Sequence, residues 1–164
     1  MKHTPPSEPT LDPMSAAFAE AESAGRRGEV PIGCVIVDQS GNVMASAGNR
    51  TLELKDPTAH AEMTALRAAS RKLASPNLAG CAVYASGHPC PMCMAAMRLS
   101  GVTRVAYAYS NDDGAPFGLS SAAIYEDLAK PFADQSMAIS YVPVRPEGRA
   151  DLYEQWAKGR SGRQ

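Results

Sequence analysis

Two short motifs supply the side chains that most constrain the fold of this chain. The first contains His60 and Glu62 in the pattern His-x-Glu, and the second contains Cys90 and Cys93 in the pattern Pro-Cys-x-x-Cys. Imidazole and thiolate are the ligands that zinc prefers, and a catalytic zinc site combines three protein ligands with one open position. The chain must therefore bring these two distant motifs together. Glu62 is left beside the three ligands as a carboxylate for proton transfer.

The spacing within each motif predicts helix N-termini at the metal. Cys90 and Cys93 are three residues apart, so they share a face on a first helical turn. His60 and Glu62 are two apart, and at a helix N-terminus both can surround a group that lies off the end of the axis. We therefore expect zinc between two helix N-termini. Their field is expected to favour thiolates at both cysteines and the ionised form of Glu62.

Length, charge and cysteine usage narrow the class of protein. A chain of 164 residues is most simply one domain, and a net charge of −1 gives no general attraction to nucleic acid. Four cysteines, two of them in a C-x-x-C, favour a metal site over a disulfide framework. The sequence has no apolar run that could span a bilayer and no signal-peptide core, which predicts a cytoplasmic protein without membrane contact.

The hydrophobic pattern predicts an α/β protein, namely a three-layer α/β/α domain with a five-stranded mixed sheet. Residues 1–11 contain three prolines and are predicted to be a disordered tail, which leaves a single domain over 12–160. Met14, Phe18 and Ala21 form the apolar stripe expected on the first helix, and Asp56 or Thr58 is expected to cap the second. The predicted strands cover 30–37, 43–48, 81–85, 102–109 and 137–142, and the predicted helices 13–25, 59–73, 91–100, 121–128 and 151–158, with a loop over 111–116.

With these motifs in place, the chain resembles the cytidine-deaminase-like superfamily of zinc deaminases. Within it, the chain is most similar to the guanine deaminases and the bacterial tRNA adenosine deaminases. The resemblance rests on Val-Pro-Ile-Gly at 30–33, on 56–62, on 89–93 and on the guanine-type segment 124–131. It implies the fold above, a catalytic Zn²⁺ held by His60, Cys90 and Cys93, and a homodimer or larger assembly, most simply a homodimer. It also implies that Glu62 moves protons, first as base and then as acid.

The resemblance also implies substrate contacts at Asn49, Ala61 and the position of Ser121, and aromatic chemistry adds Phe117 and Tyr125 as candidates. Asn49 matches an asparagine that binds the base, although a role in the turn remains open. The backbone at Ala61 is placed against the substrate carbonyl. Phe117 can stack on a planar base or pack in the core, and so can Tyr125. Ser121 stands where the guanine type has an acidic residue.

His88 is a second departure, because the related enzymes mostly carry glutamate before the Pro-Cys pair. We interpret His88 as a residue at the rim of the site and not as a ligand. Asp112 or Asp113 could replace the carboxylate that is missing at Ser121. A serine both donates and accepts hydrogen bonds, so this site should tolerate a base edge that differs from that of guanine.

Three functions follow in order of preference. The first is a hydrolytic deaminase that releases ammonia from a small nucleobase or nucleoside, with a guanine-type purine foremost. The second is a tRNA-specific adenosine deaminase, and the third is a non-catalytic zinc module with Cys34 or Cys81 as fourth ligand. Trp156 is interpreted as a packing or dimer anchor. The basic residues near the C-terminus are interpreted as a solvated face, with RNA contact second: Arg145, Arg149, Lys158, Arg160 and Arg163.

Overall fold

A computed structural model describes residues 12–145, 147–149 and 151–161. The chain divides into two compact units, the first ending at Ala129 and the second beginning at Lys130. The predicted tail over 1–11 lies outside the described residues. The predicted single domain over 12–160 stays a prediction.

The first unit is built on a four-stranded mixed sheet in the order β2-β1-β3-β4. β1 runs antiparallel to both of its neighbours, whereas β3 and β4 are parallel. β2, β3 and β4 therefore all point the same way, so each step between them needs a crossover connection. The strands are β1 (Gly33–Val37), β2 (Val43–Gly48), β3 (Ala82–Gly87) and β4 (Arg104–Tyr109).

The helices agree with the predicted pattern, with two short additions. α2 and α5 occupy segments in which no helix was predicted, and α5 replaces most of the expected 111–116 loop. Among the described residues, no helix is both long and apolar enough to cross a bilayer. The helices are α1 (Pro13–Arg26), α2 (Thr51–Leu54), α3 (Ala61–Leu73), α4 (Pro91–Leu99), α5 (Asn111–Gly114) and α6 (Ala122–Leu128), with α7 (Leu152–Ser161) in the second unit.

Helix α1 lies unusually close to the sheet because small residues line the contact. Its buried residues are Ala17, Ala21 and Ala24. Of the predicted stripe, Ala21 is buried, Met14 packs half-buried against the core, and Phe18 is half-buried. Gly33 and Gly48 face each other across β1 and β2. A Cβ on Gly33 would collide with the α1 backbone at Ala17 and Ala21, and one on Gly48 would approach the Glu20 carbonyl oxygen. Alanine and glycine are thus required here by the close approach of two backbones.

The alternation of side chains along β1 divides the core between two faces and confirms the three-layer arrangement. Cys34 and Ile36 belong to the larger cluster, which includes residues of α3 and α4. Val35 and Val37 belong to the smaller cluster beneath α1. Successive residues of a strand point to opposite faces, so both faces of β1 are buried.

The segments that carry the two motifs meet at one edge of the sheet. β2, β3 and β4 all end there, and β1 begins there, with Gly33 opposite Gly48 and Gly87 opposite Tyr109. Asn49 follows β2, and the segment from His88 to Cys90 follows β3. In sheets of this kind, ligands bind at the carboxyl ends of the strands.

The predicted fifth strand over 137–142 is wrong. In the second unit, Met137 and Tyr141 are exposed by 71% and 82%, and the segment has no strand pairing among the described residues. The next residue, Pro143, has no N–H to donate to a ladder, and the Val144 N–H donates to the Val142 carbonyl oxygen at 2.9 Å. Alternating apolar residues alone do not make a strand when no neighbouring strand accepts their backbone bonds.

Candidate metal centre

The three predicted ligands lie at two helix N-termini. His60 is the residue before α3, Cys90 is the residue before α4, and both have extended backbone conformations. Cys93 lies in the first turn of α4. The predicted cap at Asp56 or Thr58 is wrong, because the Asp56 carboxylate instead accepts from the Thr58 N–H and hydroxyl at 2.8 and 2.7 Å. That local turn delays the helix until Ala61 and leaves His60 at its entrance.

The ligand atoms are spaced as a tetrahedral zinc site requires. His60 Nδ1 lies 3.5 Å from Cys90 Sγ and 3.7 Å from Cys93 Sγ, and the two sulfurs are 3.5 Å apart. With Zn–S near 2.3 Å and Zn–N near 2.0 Å, the S···S and S···N edges of a tetrahedron are about 3.7 Å and about 3.5 Å. The group thus fits zinc in both ligand type and spacing.

The pKa values of the two thiols shift in opposite directions. The hydrogen bond between Cys90 Sγ and Cys93 Sγ, 3.5 Å apart, lowers the pKa of Cys90 to about 4 against the opposing effect of burial. The same bond, together with burial, raises the pKa of Cys93. For the protein residues alone, the predicted thiolate therefore forms at Cys90 while Cys93 keeps its proton. A divalent cation is what allows both sulfurs to be thiolates.

Glu62 lies beside the ligands without joining them. It is the second residue of α3, it is 3% exposed, and its Oε2 lies 3.5 Å from Cys93 Sγ. Burial raises the pKa of the Glu62 carboxyl, and its own backbone N–H lowers it less; the net direction is upward. For the protein residues alone, desolvation thus exceeds the effect of the helix N-terminus, and the expected ionised form of Glu62 beside zinc stays a prediction.

Within the described part of the chain, no fourth protein ligand lies near the group. Among the described residues, the cluster that could hold a metal consists of His60, Cys90 and Cys93. Cys34 and Cys81 are buried in the core, and burial raises the pKa of both thiols. Three ligands with an open position are typical of a catalytic zinc site, whereas a structural one is closed by four.

Asn49 and Ala61 lie next to the ligand segment. The Asn49 N–H donates to the Ile32 carbonyl oxygen, and the Arg50 N–H donates to the carbonyl oxygen of Ala59, the residue before His60. Asn49 is 4% exposed, and Ala61 is fully buried at the start of α3. The end of β2 is thus tied to the entrance of α3.

Sequence reasoning missed Glu29, whose buried carboxylate holds the Asn49 side chain. Glu29 is 6% exposed and accepts from Asn49 Nδ2 at 3.0 Å. Burial raises the pKa of Glu29. The hydrogen bonds from the N–H groups of Glu53 and Leu52 and from the Asn49 amide together lower the pKa by more, so it lies below its ordinary value. An acidic residue placed directly before a buried apolar strand was the signal that could have identified it.

His88 and Tyr125 support the loop that carries Cys90. The Tyr125 hydroxyl donates to the Pro89 carbonyl oxygen at 2.6 Å, and His88 Nδ1 lies 3.0 Å from the same oxygen. The His88 ring makes edge contacts with the rings of Tyr107 and Tyr125, at centroid distances of 4.7 and 5.5 Å. Because a carbonyl oxygen only accepts, His88 carries its proton on Nδ1 here. Both side chains thus hold the backbone that positions Cys90.

Phe117 and Ser121 lie outside the ligand group. Phe117 is 77% exposed and lines a cavity of about 620 Å³, whose described lining includes Ile32 and His88 but none of the three ligands. The Ser121 N–H and hydroxyl both point to Asn111 Oδ1, at 3.0 and 3.4 Å. The carboxylate of Asp113 is bound to Ser110 as a helix cap. Substrate contact by Phe117 or Ser121 stays a prediction.

In the second unit, Trp156 is 63% exposed and the Arg160 guanidinium lies 4.8 Å from its ring centre. Arg145, Arg149 and Lys158 are exposed, and Arg163 lies outside the described residues. A cation–π contact on an exposed helix agrees with a solvated basic face.

Comparison with known proteins gives one family and several relatives. The family model of the cytidine and deoxycytidylate deaminase zinc-binding region matches residues 8–109. The chain is 45% identical over 101 residues to a tRNA-specific adenosine deaminase of Agrobacterium fabrum, a match that covers 62% of the chain and 66% of that relative. It thus spans just under two thirds of the relative's length.

A second relative matches more of the chain. Guanine deaminase of Bacillus subtilis is 37% identical over 125 residues, which cover 76% of the chain and 78% of that protein. The crystal structure of guanine deaminase from the same organism superposes with a TM-score of 0.75 at 31% identity, over 92% of this chain and 91% of the other. The chain therefore has the α/β cytidine deaminase-like fold.

Proposed function

We propose that this chain, which belongs to the family of the cytidine and deoxycytidylate deaminase zinc-binding region, is a hydrolase. It would hydrolyse a C–N bond and so release ammonia from a small nucleobase or nucleoside. A guanine-type purine is the first candidate. The observation that carries the proposal is a three-ligand group with zinc-like spacing beside Glu62, a buried carboxylate that is not needed as a ligand. A metal with an open position and a free carboxylate together suit hydrolysis.

The metal-binding residues and Glu62 have different roles in the reaction. His60, Cys90 and Cys93 would hold zinc, which supplies a Lewis acid that makes water nucleophilic near neutral pH. Water adds to the amino-bearing carbon while Glu62 moves one of its protons to the adjacent ring nitrogen. Glu62 then moves the second proton to the amine, which leaves as ammonia, and a carbonyl replaces the amino group. Glu62 ends in its starting state, as a group that serves as base and then as acid must.

The preference for a small substrate is supported by the extent of the structural likeness. The match to Bacillus subtilis guanine deaminase covers 92% of this chain, so it includes residues of the C-terminal part. A net charge of −1 is also unusual for a surface that binds nucleic-acid phosphates. Two groups are proposed to contact the base: Asn49, whose neighbour Arg50 is hydrogen-bonded to Ala59, and the backbone at Ala61, which follows His60.

A tRNA adenosine deaminase is the second candidate function. It is favoured by the higher identity, 45%, to the Agrobacterium fabrum enzyme, although that match covers 62% of the chain. Both candidates use the same metal group and the same carboxylate. They differ in the substrate that must bind: a free base or nucleoside in the first candidate, and a base within a tRNA in the second.

The proposal includes two properties carried over from the sequence resemblance. These are a homodimer and a location in the cytoplasm. Sedimentation of the zinc-loaded protein tests the first, and fractionation of the source cells tests the second.

A substrate panel separates the two candidates. Zinc-loaded protein is incubated with guanine, other aminopurines, their nucleosides and a tRNA anticodon stem at matched concentration, and ammonia release is measured. We expect turnover of at least one free base or nucleoside and little or no inosine in the stem. Robust editing of the stem together with inactivity on every free base and nucleoside would replace the first candidate with the second. As a control for steering by charge, salt should change turnover of the small substrate little, whereas binding of RNA weakens steeply with salt.

A further inference from the structure

The carboxylate of Glu29 is the centre of a buried hydrogen-bond network at the end of β2. Its Oε1 accepts from the Glu53 N–H at 2.7 Å, and its Oε2 accepts from the Leu52 N–H at 3.1 Å and from Asn49 Nδ2 at 3.0 Å. The Thr51 hydroxyl lies 3.4 Å from the same Oε2. Glu29 thus joins the first turn of α2 to the side chain of Asn49.

The ionised carboxylate of Glu29 determines the orientation of the Asn49 side-chain amide. Hydrogen bonds keep the pKa of Glu29 below its ordinary value, so the group is ionised at neutral pH and only accepts. The amide nitrogen of Asn49, and not its oxygen, must therefore face Glu29. Because Thr51 donates its hydroxyl hydrogen to Glu29, its oxygen accepts the second amide hydrogen of Asn49, at 2.9 Å. Both amide hydrogens are then used within the protein.

The atom that remains for a ligand is Asn49 Oδ1. Among the described residues it has no hydrogen-bond partner, and it is not one of the buried polar atoms left unsatisfied. Solvent can therefore reach it, although the residue as a whole is 4% exposed. Asn49 is followed by Arg50, whose N–H is bonded to Ala59 beside His60. The backbone that carries this acceptor oxygen is thus tied to the segment before His60.

We propose that Glu29 is a positioning residue for substrate recognition, which fixes the Asn49 amide so that its carbonyl oxygen alone faces the base. The site then selects a base edge that offers an N–H donor to Asn49 and disfavours a bare ring nitrogen there. This inference rests on the proposed function in one respect, namely that Asn49 contacts the substrate. Thr51 has a supporting role, because it fixes the second amide hydrogen.

A double-mutant cycle tests whether Glu29 acts through Asn49. The four proteins are wild type, Glu29→Gln, Asn49→Ala and the double variant, all zinc-loaded and assayed on the substrate that wild type turns over best. We expect each single change to lower kcat/KM by about 10- to 100-fold, the range for a hydrogen bond to a charged group, mainly through KM. In the Asn49→Ala background, Glu29→Gln should change kcat/KM by less than about 2-fold, because the residue it positions is gone.

Two further variants separate positioning from simple charge removal and loss of fold. Glu53→Gln removes an exposed carboxylate in the same segment, where it pairs with Arg50, and should leave kcat/KM and zinc content unchanged. Asn49→Asp places a carboxylate against Glu29 and should impair turnover strongly. Adding Glu29→Gln to Asn49→Asp lets the amide at position 29 donate to the carboxylate at position 49. The other carboxylate oxygen at position 49 then remains as an acceptor for the base. This pair should recover at least about 10-fold of the lost kcat/KM.

A readout that does not depend on turnover keeps the inference separate from the proposed function. In NMR spectra of the zinc-loaded protein, the side-chain NH₂ signals of Asn49, identified by their loss in Asn49→Ala, should be protected from exchange with solvent. Glu29→Gln should remove that protection. Unprotected NH₂ signals in wild type, or equal effects of Glu29→Gln in both backgrounds of the cycle, would overturn the positioning role. Protected signals in a protein inactive on every substrate would overturn the proposed function and the recognition role together, leaving only the network.

Discussion

Glu62→Gln is expected to keep zinc and the fold while losing at least about 10²- to 10⁴-fold in deaminase turnover, the range for removing a general acid–base group. Glutamine matches the shape of glutamate but cannot carry a proton from water to the ring and on to the amine. Glu62 is 3% exposed and its pKa is raised by burial, so a neutral replacement should not lower Tm. Turnover, zinc content and Tm are measured on the same preparation.

The matched control is Glu53→Gln, which removes a carboxylate outside the metal centre. It should retain wild-type turnover. Near-full activity of Glu62→Gln at stoichiometric zinc would rule out the proton-transfer role. Loss of zinc in that variant would instead make Glu62 a ligand, contrary to the spacing of the group.

Replacing both Cys90 and Cys93 by serine is expected to remove zinc and stability together. About one zinc per chain should fall to near zero, because a lone imidazole cannot hold the ion. An ion present at a thousand times its Kd stabilises the fold by about 4 kcal/mol, so its loss should lower Tm by roughly 10 °C. Metal analysis and thermal unfolding check the two effects.

Cys81→Ala is the matched control for loss of a thiol. Cys81 is 4% exposed and lies outside the ligand group, so this variant should keep its zinc and lose only packing. Stoichiometric zinc in the double serine variant would show that the metal is bound elsewhere. Loss of zinc in Cys81→Ala alone would point to a fourth sulfur ligand.

The metal centre could be predicted from sequence because its chemistry is local to two short motifs. His60 and Cys90 each stand directly before a helix, and Cys93 follows Cys90 within the first turn. Residue type and spacing therefore indicate both the candidate ligand group and its placement at helix N-termini. The layers of the fold were predictable for the same reason, since apolar runs such as β1 are buried on both faces.

The features that sequence reasoning missed depend on contacts between distant segments. Glu29 meets Asn49 only after β1 and β2 have paired, so neither residue alone indicates the network. The alanines of α1 are buried because Gly33 and Gly48 let the helix approach, a pairing that no single pattern shows. The 137–142 segment has the alternation of a strand but no partner among the described residues. Tertiary context decided each case.

X-ray absorption at the zinc edge of the wild-type protein tests most directly that this is a catalytic zinc centre. We predict two sulfur neighbours at about 2.3 Å and two lighter neighbours at about 2.0–2.1 Å, one of them the His60 nitrogen and the other from solvent. Substrate-like inhibitors should change the lighter shell and leave the sulfur count alone. A third or fourth sulfur, or a closed shell that no ligand alters, would contradict the account and favour a structural zinc module.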